Sequence, residues 1–186
     1  HQCKPHPSDY GPRGPANIRI WKEVDPRTQQ IIAWRTHISW QAPERTIYMD
    51  GRPHPPDYAA HTWQGFSTGR WDGDVLVVTT THLKTGWMRR NGVPRSDRAT
   101  VTEHFIRHGD NLTLVIDISD PAYLTEPFVR STDCVSENRQ QIDGSHRLGL
   151  RLMQTRFQRG GHAAQAELTQ AVLQFDEVHL SFSCLC

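Results

Sequence analysis

The sequence predicts a mainly β fold in which antiparallel strands follow one another as a meander and close into a barrel. Apolar and polar residues alternate in the segments 29–40 and 99–108, which is the pattern of half-buried strands. Asp72-Gly73 separates two further strand-like runs, and this dipeptide is a strong hairpin signal. A meander must close into a barrel or pack as two layers, because its apolar face needs cover.

Seven strands are expected in the first part of the chain. They lie near residues 18–21, 29–40, 45–50, 63–71, 74–83, 99–108 and 112–119. Asp25-Pro26 favours a turn after the first of them. Asp120-Pro121 ends the seventh, since proline has no backbone N–H to donate to a sheet.

The composition changes near residue 130, before which all 12 prolines and all 6 tryptophans lie. We therefore expect a β-barrel-like domain over residues 1–134 and an appendage of uncertain structure over 135–186. Apolar residues at helical spacing predict one helix within 163–178. Alternation predicts a final strand within 178–186.

Charge and hydropathy exclude two classes of partner. The net charge is +1 with histidines neutral, and without a basic stripe no nucleic-acid partner is expected. No run of 18 apolar residues occurs, so no membrane span is expected.

The cysteines and the first residue bear on localisation. Cys3, Cys134, Cys184 and Cys186 make an even number, which suits a secreted or periplasmic protein with one or two disulfides. A cysteine–metal site and buried free thiols are the alternatives. The chain begins at His1, as it would after removal of an export signal or after truncation.

The strand at 99–108 carries the main candidate for chemistry. Glu103 shares the more apolar face of this strand with Val101 and Phe105. A buried carboxylate is costly unless it is paired or protonated, and it can serve as a general acid or base. The alternative is a structural ion pair with an arginine such as Arg52 or Arg107.

The connection after the third strand concentrates polar and aromatic side chains. It carries Asp50, Arg52, His54, His61 and Trp63. We expect it to close over the cavity that holds Glu103, with His54 or His61 as the acid–base partner of that carboxylate. Asp50 is a second catalytic candidate, or alternatively a turn residue that accepts backbone bonds. The two histidines are seven positions apart, so a metal would need a third ligand, such as His82 or Glu103, and neither a metal nor another cofactor is expected.

One sequence match to a nucleophile motif is set aside. Residues 65–69, GFSTG, fit the pattern G-x-S-x-G. A nucleophile elbow needs a helix after the serine, whereas a hairpin is expected here. No serine nucleophile is therefore assigned.

Residues 45–130 resemble a large, mostly uncharacterised family of exported bacterial proteins. The family pattern is IYxDGRxHP, WxGxSxGxWxGDxLVV, VxERF and DPxxYTxPW, with a Cys-x-Pro near the start. It is matched here within 47–55, 63–78, 101–105, 120–128 and 3–5. The resemblance implies export and a β-rich, lipocalin-like domain, but no particular reaction. His104 stands where the family has arginine, and the pattern is lost after Thr132.

Together these observations predict an exported, calycin- or lipocalin-like barrel with a pocket for a small apolar or aromatic molecule. The expected pocket walls are Trp34, Trp40, Trp63 and Trp71, and the expected ligand contacts are Arg52, Trp63, Trp71, His82 and Tyr123. If the protein is an enzyme, Glu103 would act as the base in proton transfer or hydrolysis. A binding module without turnover, and a structural protein that docks through residues 135–186, are the alternatives. The oligomeric state stays open.

Overall fold

The computed structural model describes residues 7–13, 16–39, 43–88, 92–136 and 179–184, and these ranges are mainly β. The strands are β1 (Ala16–Val24), β2 (Ile31–Ile38), β3 (Glu44–Tyr48), β4 (Phe66–Asp72), β5 (Val75–Thr81), β6 (Gly86–Trp87), β7 (Pro94–Arg95), β8 (Thr100–His108), β9 (Asn111–Ser119), β10 (Phe128–Ser136) and β11 (His179–Cys184). The only helical element in these ranges is a 3-10 turn, Gly11–Arg13. The mainly β prediction is confirmed, and no helix of the described residues is long and apolar enough to cross a membrane.

Nine strands form one curled sheet with the neighbour order β1-β11-β10-β9-β8-β5-β4-β3-β2. β1 is hydrogen-bonded to β11 on one side and to β2 on the other. The predicted antiparallel meander is wrong at one place, because β3 and β4 are parallel, with Ile47 opposite Ser67. Parallel neighbours need a connection that returns to the starting end of the sheet, and the segment between Tyr48 and Phe66 is long enough to do so.

The hydrophobic core lies on the inner face of this sheet. Every second residue of β8 is buried from Val101 to Phe105, as the alternation predicts. Trp34, Leu114 and Phe182 bring large buried side chains from β2, β9 and β11. Each such side chain contributes on the order of 1.5–3 kcal/mol through the area that it buries.

β10 is a strand that the sequence pattern did not predict. Its buried positions are small or polar, namely Thr132, Cys134 and Ser136, while Val129 on the other face is 58% exposed. The usual contrast of apolar inside and polar outside is therefore reversed here, and no hydrophobic alternation marks the strand.

The predicted final strand is confirmed as β11, which lies between β1 and β10 in the sheet. This part of the predicted appendage thus belongs to the same sheet as the first 134 residues. The predicted helix at 163–178 lies outside the described residues, and so does Trp40.

Residues 7–13, called the N-terminal segment below, form a buried turn before β1. The amides of Tyr10 and Gly11 donate to the carbonyl of Pro7 at 3.0 and 3.3 Å. A Cβ on Gly11 would lie 2.6 Å from Cδ1 of Ile38, so the segment approaches β2 closely at this glycine.

Candidate functional site

Glu103 lies inside the curled sheet and forms a buried ion pair. It points to the inner face of β8, opposite Val78 of β5, and is fully buried. Its Oε2 is 2.6 Å from Nη2 of Arg45, which is also buried. The ion pair weighed as an alternative therefore forms, but with Arg45 rather than with Arg52 or Arg107.

Arg45 is the main functional candidate that the sequence analysis missed. It alternates with Ile47 along β3, and both side chains are buried. The period of two residues that placed Glu103 inward would have placed Arg45 inward as well. The short strand and the expectation that arginine faces solvent concealed this signal.

A small cavity adjoins the ion pair, and several polar atoms around it are unsatisfied. Within the described ranges, Oε1 of Glu103, Nε of Arg45 and Oγ of Ser8 have no hydrogen-bond partner. All three residues line a cavity of about 20 Å³. Its remaining lining residues are Pro12, Ile18, Thr36, Ile38, Pro43, Gln64, Phe105 and Leu114. A water molecule needs roughly 10–15 Å³ of this kind of volume and two to four polar partners, so the cavity suits one water-sized molecule.

The part of the β3–β4 connection that carries His54 packs on the outer face of the sheet, whereas Gln64, near its end, lines the interior cavity. Nδ1 of His54 is 2.8 Å from Oγ1 of Thr81, and Nε2 is 2.8 Å from Oγ1 of Thr68. Val78 shares the face of Glu103, and Thr81, three positions further along β5, lies on the other face because side chains alternate. The structure therefore places His54 and Glu103 on opposite faces and does not bring them together as an acid–base pair.

The hydrogen bonds among His82, Thr81, His54 and Thr68 each have a defined donor and acceptor. Nε2 of His82 is 3.0 Å from the carbonyl oxygen of Pro56, which can only accept. In neutral His82, Nδ1 therefore accepts from the hydroxyl of Thr81 at 2.8 Å. The Thr81 oxygen then accepts from Nδ1 of His54, and the hydroxyl of Thr68 donates to Nε2 of His54.

His82 and His61 hold the connection to the end of β5. His82 has φ 56°, a left-handed conformation that is uncommon for residues other than glycine. Its carbonyl accepts from the amide of Thr62 at 2.9 Å. Nδ1 of His61 donates to the carbonyl of Leu83 at 3.1 Å, and the rings of His61 and His82 are 5.1 Å apart. In the described part of the chain, no three His, Cys, Asp or Glu side chains are arranged to hold a metal ion.

Asp50 and Arg52 form an exposed pair on the same outer face. Nε of Arg52 donates to Oδ1 of Asp50 at 2.9 Å, and this side-chain bond holds the pKa of Asp50 below its usual range. The guanidinium lies 3.8 Å from the ring centroid of Tyr48, which stacks on Phe66 at 5.3 Å. These contacts tie the start of the connection to β3 and β4.

The other expected ligand contacts are scattered. Trp63 lies 5.5 Å below the ammonium group of Lys84, Trp71 packs partly buried against the core, and Tyr123 is 54% exposed. Like His82 and Arg52, these side chains are not among those that line the cavity beside Glu103 in the described ranges. Of the predicted site residues, only Glu103 therefore lies at the interior cavity.

Protonation of His54 is expected to lower the free energy of unfolding. Burial, followed by the electrostatic effect of the nearby His82 ring, lowers the pKa of His54 below its usual 6.5. The stabilisation is therefore fully present above pH 6.5 and is lost as the pH falls through the lower pKa of the folded state. In urea unfolding, the stability lost between pH 7.5 and 5.5 should be smaller in His54→Gln than in the wild type. The exposed control His108→Gln should follow the wild type, and an unchanged loss in His54→Gln would contradict this role.

Comparison with known proteins assigns the chain to no class. No family model, no curated protein and no solved structure matches it. The resemblance to exported bacterial proteins therefore stays a prediction, as do export and disulfide formation.

Cys134 is buried, and its backbone position stands opposite that of Cys184 in the register of β10 and β11.

Proposed function

We propose that this protein binds a small molecule inside a calycin- or lipocalin-like barrel, at the Arg45–Glu103 pair. The observation that carries the proposal is the fully buried Oε1 of Glu103, which adjoins an apolar-walled cavity without a partner among the described residues. Leaving a buried acceptor unsatisfied costs about 1–3 kcal/mol, and more for a charged group. A ligand that donates a hydrogen bond to this oxygen recovers that free energy.

The unsatisfied atoms define the ligand's chemistry. Oε1 of Glu103 accepts a hydrogen bond, and Nε of Arg45 donates one. A ligand that carries an N–H or O–H donor beside an acceptor, such as an amide, satisfies both atoms. Its apolar or aromatic body would contact Ile18, Phe105 and Leu114, which line the same cavity. Mostly apolar walls with a few placed polar groups are typical of small-molecule sites.

The volume of the cavity determines whether it can hold a larger ligand or only a water molecule. At about 20 Å³, it takes one water molecule while the N-terminal segment is in place. An aromatic ligand therefore requires the cavity to widen. The end that the N-terminal segment covers is the place where it can do so, because this segment forms part of the cavity wall.

Binding without turnover is favoured over catalysis. His54 lies on the opposite face of the sheet, Nδ1 of His61 is bonded to the carbonyl of Leu83, and Oε2 of the carboxylate is occupied by Arg45. Proton transfer would have to rely on Oε1 of Glu103 alone. Carriage or sensing of a small molecule needs no such partner.

The proposal is tested with N-phenyl-1-naphthylamine, a neutral aromatic probe with one N–H donor, whose fluorescence rises in apolar surroundings. Wild-type protein should bind it saturably. The double variant Arg45→Met/Glu103→Leu keeps an apolar cavity without polar partners, and we expect its affinity to fall at least about 10-fold. Asp50→Asn, on the outer face, is the matched control and should bind as the wild type does. Equal affinity in the double variant would overturn recognition by the ion pair.

A further inference from the structure

We infer that the N-terminal segment is a lid that fills the entrance to the Arg45–Glu103 site and must move before a ligand enters. The inference rests on the proposed function, because it names how that site is regulated. It begins from the composition of the cavity wall. Ser8 and Pro12 of the segment line the cavity together with Arg45 and Glu103, so the segment separates the ion pair from solvent.

The lid lies against two separate sheets, namely the antiparallel pair of β6 and β7 and the nine-stranded curled sheet. At one end, a Cβ on Gly86 of β6 would lie 3.9 Å from Cγ of Pro7. At the other, a Cβ on Gly11 would lie 2.6 Å from Cδ1 of Ile38 and 3.8 Å from Cγ of Pro43. The segment therefore runs from Gly86 of β6 to Ile38 at the end of β2 and Pro43 before β3, and it lies between these positions.

A buried ion pair fastens the lid to the β6–β7 hairpin. Oδ2 of Asp9 is 3.5 Å from Nε of Arg95, and both side chains are fully buried. Nη2 of Arg95 donates to the carbonyl of Lys84 at 2.9 Å, which holds the guanidinium in place. The lid itself is a turn with a 3-10 helix and is not part of any described strand. It can therefore open by breaking the Asp9–Arg95 pair and its packing against Gly86 and Ile38, without breaking any hydrogen bond between described strands.

The closed lid leaves polar groups unsatisfied. In the described ranges, Oγ of Ser8 and Nη1 of Arg95 lack hydrogen-bond partners, in addition to the atoms of the Arg45–Glu103 pair. Unsatisfied buried groups raise the free energy of the closed form. Opening hydrates Ser8 and Arg95, and a ligand then satisfies the pair inside. The lid thus competes with the ligand for the entrance.

Two variants loosen the lid by different means. Asp9→Asn removes the charge that fastens the segment to Arg95. Gly11→Ala leaves the ion pair intact but places a methyl group against Ile38. The amides of Tyr10 and Gly11, which donate to Pro7 in the closed form, report opening through hydrogen exchange measured by NMR. In the Gly11→Ala variant the second reporter is the amide at the substituted position.

We expect both variants to raise the exchange rate of these amides and the association rate of N-phenyl-1-naphthylamine about 10-fold. Asp57→Asn, an exposed aspartate of the outer connection, is the matched control and should change neither rate. If the amide exchange rate is unchanged in both lid variants, the segment is not a lid, whatever the association rate of the probe. Faster exchange with unchanged association overturns its role as the gate and leaves the binding site intact. Failure of the proposed function looks different: exchange accelerates, but no variant binds the probe saturably.

Discussion

Arg45→Met is expected to destabilise the protein by about 3–5 kcal/mol, because it leaves the buried Glu103 carboxylate without its counter-charge. The two side chains are in direct contact at 2.6 Å inside the sheet. Oε1 of Glu103 has no partner among the described residues, so the Arg45 contact is the main compensation for burial of the charge. The measurement is the free energy of unfolding in urea at neutral pH.

The double variant Arg45→Met/Glu103→Leu separates the loss of a contact from the cost of an uncompensated charge. We expect it to recover most of the stability, since buried ion pairs are often replaced by apolar residues without net loss. Arg52→Met breaks the exposed pair with Asp50 and is the control, with a loss of unfolding free energy expected that is far smaller than that of Arg45→Met. A single variant Arg45→Met as stable as the wild type would show that the pair does not hold the fold together.

Gly65→Ala is expected to destabilise the protein by about 3 kcal/mol or more, through strain and steric overlap together. Gly65 precedes β4 with φ 70°, and a Cβ there would lie 2.5 Å from the carbonyl oxygen of Thr81. The Thr80 methyl group and Leu83 lie within 3 Å of the same position. Because a backbone oxygen cannot move aside easily, the connection would have to lift from the end of β5.

Gly51→Ala is the matched control for this prediction. Gly51 lies in the same connection with φ 72°, but a Cβ there meets no atom of the described residues within 4 Å. It should therefore show only the conformational cost, about 1–2 kcal/mol. Thermal and urea unfolding of both variants give the comparison. Equal losses at the two positions would mean that the close approach at Gly65 contributes nothing.

The predicted site residues of the proline-rich connection lie apart from the Arg45–Glu103 pair. The connection therefore does not supply the acid–base partner of Glu103 that the sequence predicted. Asp50, Arg52 and His54 lie outside the sheet, so their hydrogen bonds stabilise the connection rather than the interior site. The binding site that we propose is instead built from Arg45 and Glu103 on β3 and β8, beside Ser8 and Pro12 of the N-terminal segment. Experiments on function therefore belong at the interior pair, and experiments on the acid response belong at His54.

Local sequence was sufficient for the features that depend on strand periodicity. A side chain in a strand alternates between two faces, so the apolar neighbours Val101 and Phe105 are enough to identify the inward direction of Glu103. The hairpin near Asp72-Gly73 is also local, although its two turn residues are Gly73 and Asp74, because Asp72 still pairs with Val75 and only Gly73 has a positive φ. Arg45 obeys the same rule beside Ile47. By contrast, β10 carries no apolar alternation from which its position could be inferred.

The sequence by itself determined that this is a β protein, that Glu103 points inward, and that the connection after β3 carries a cluster of polar side chains. Only the tertiary structure decided on which face of the sheet Asp50, Arg52 and His54 lie, which arginine meets Glu103, and that Ser8 and Pro12 line the cavity. The reason is physical. Alternation along a strand is set by neighbouring residues, whereas the path of a connection and the partner of a buried charge depend on contacts between residues far apart in the chain, such as Arg45 with Glu103 and Asp9 with Arg95.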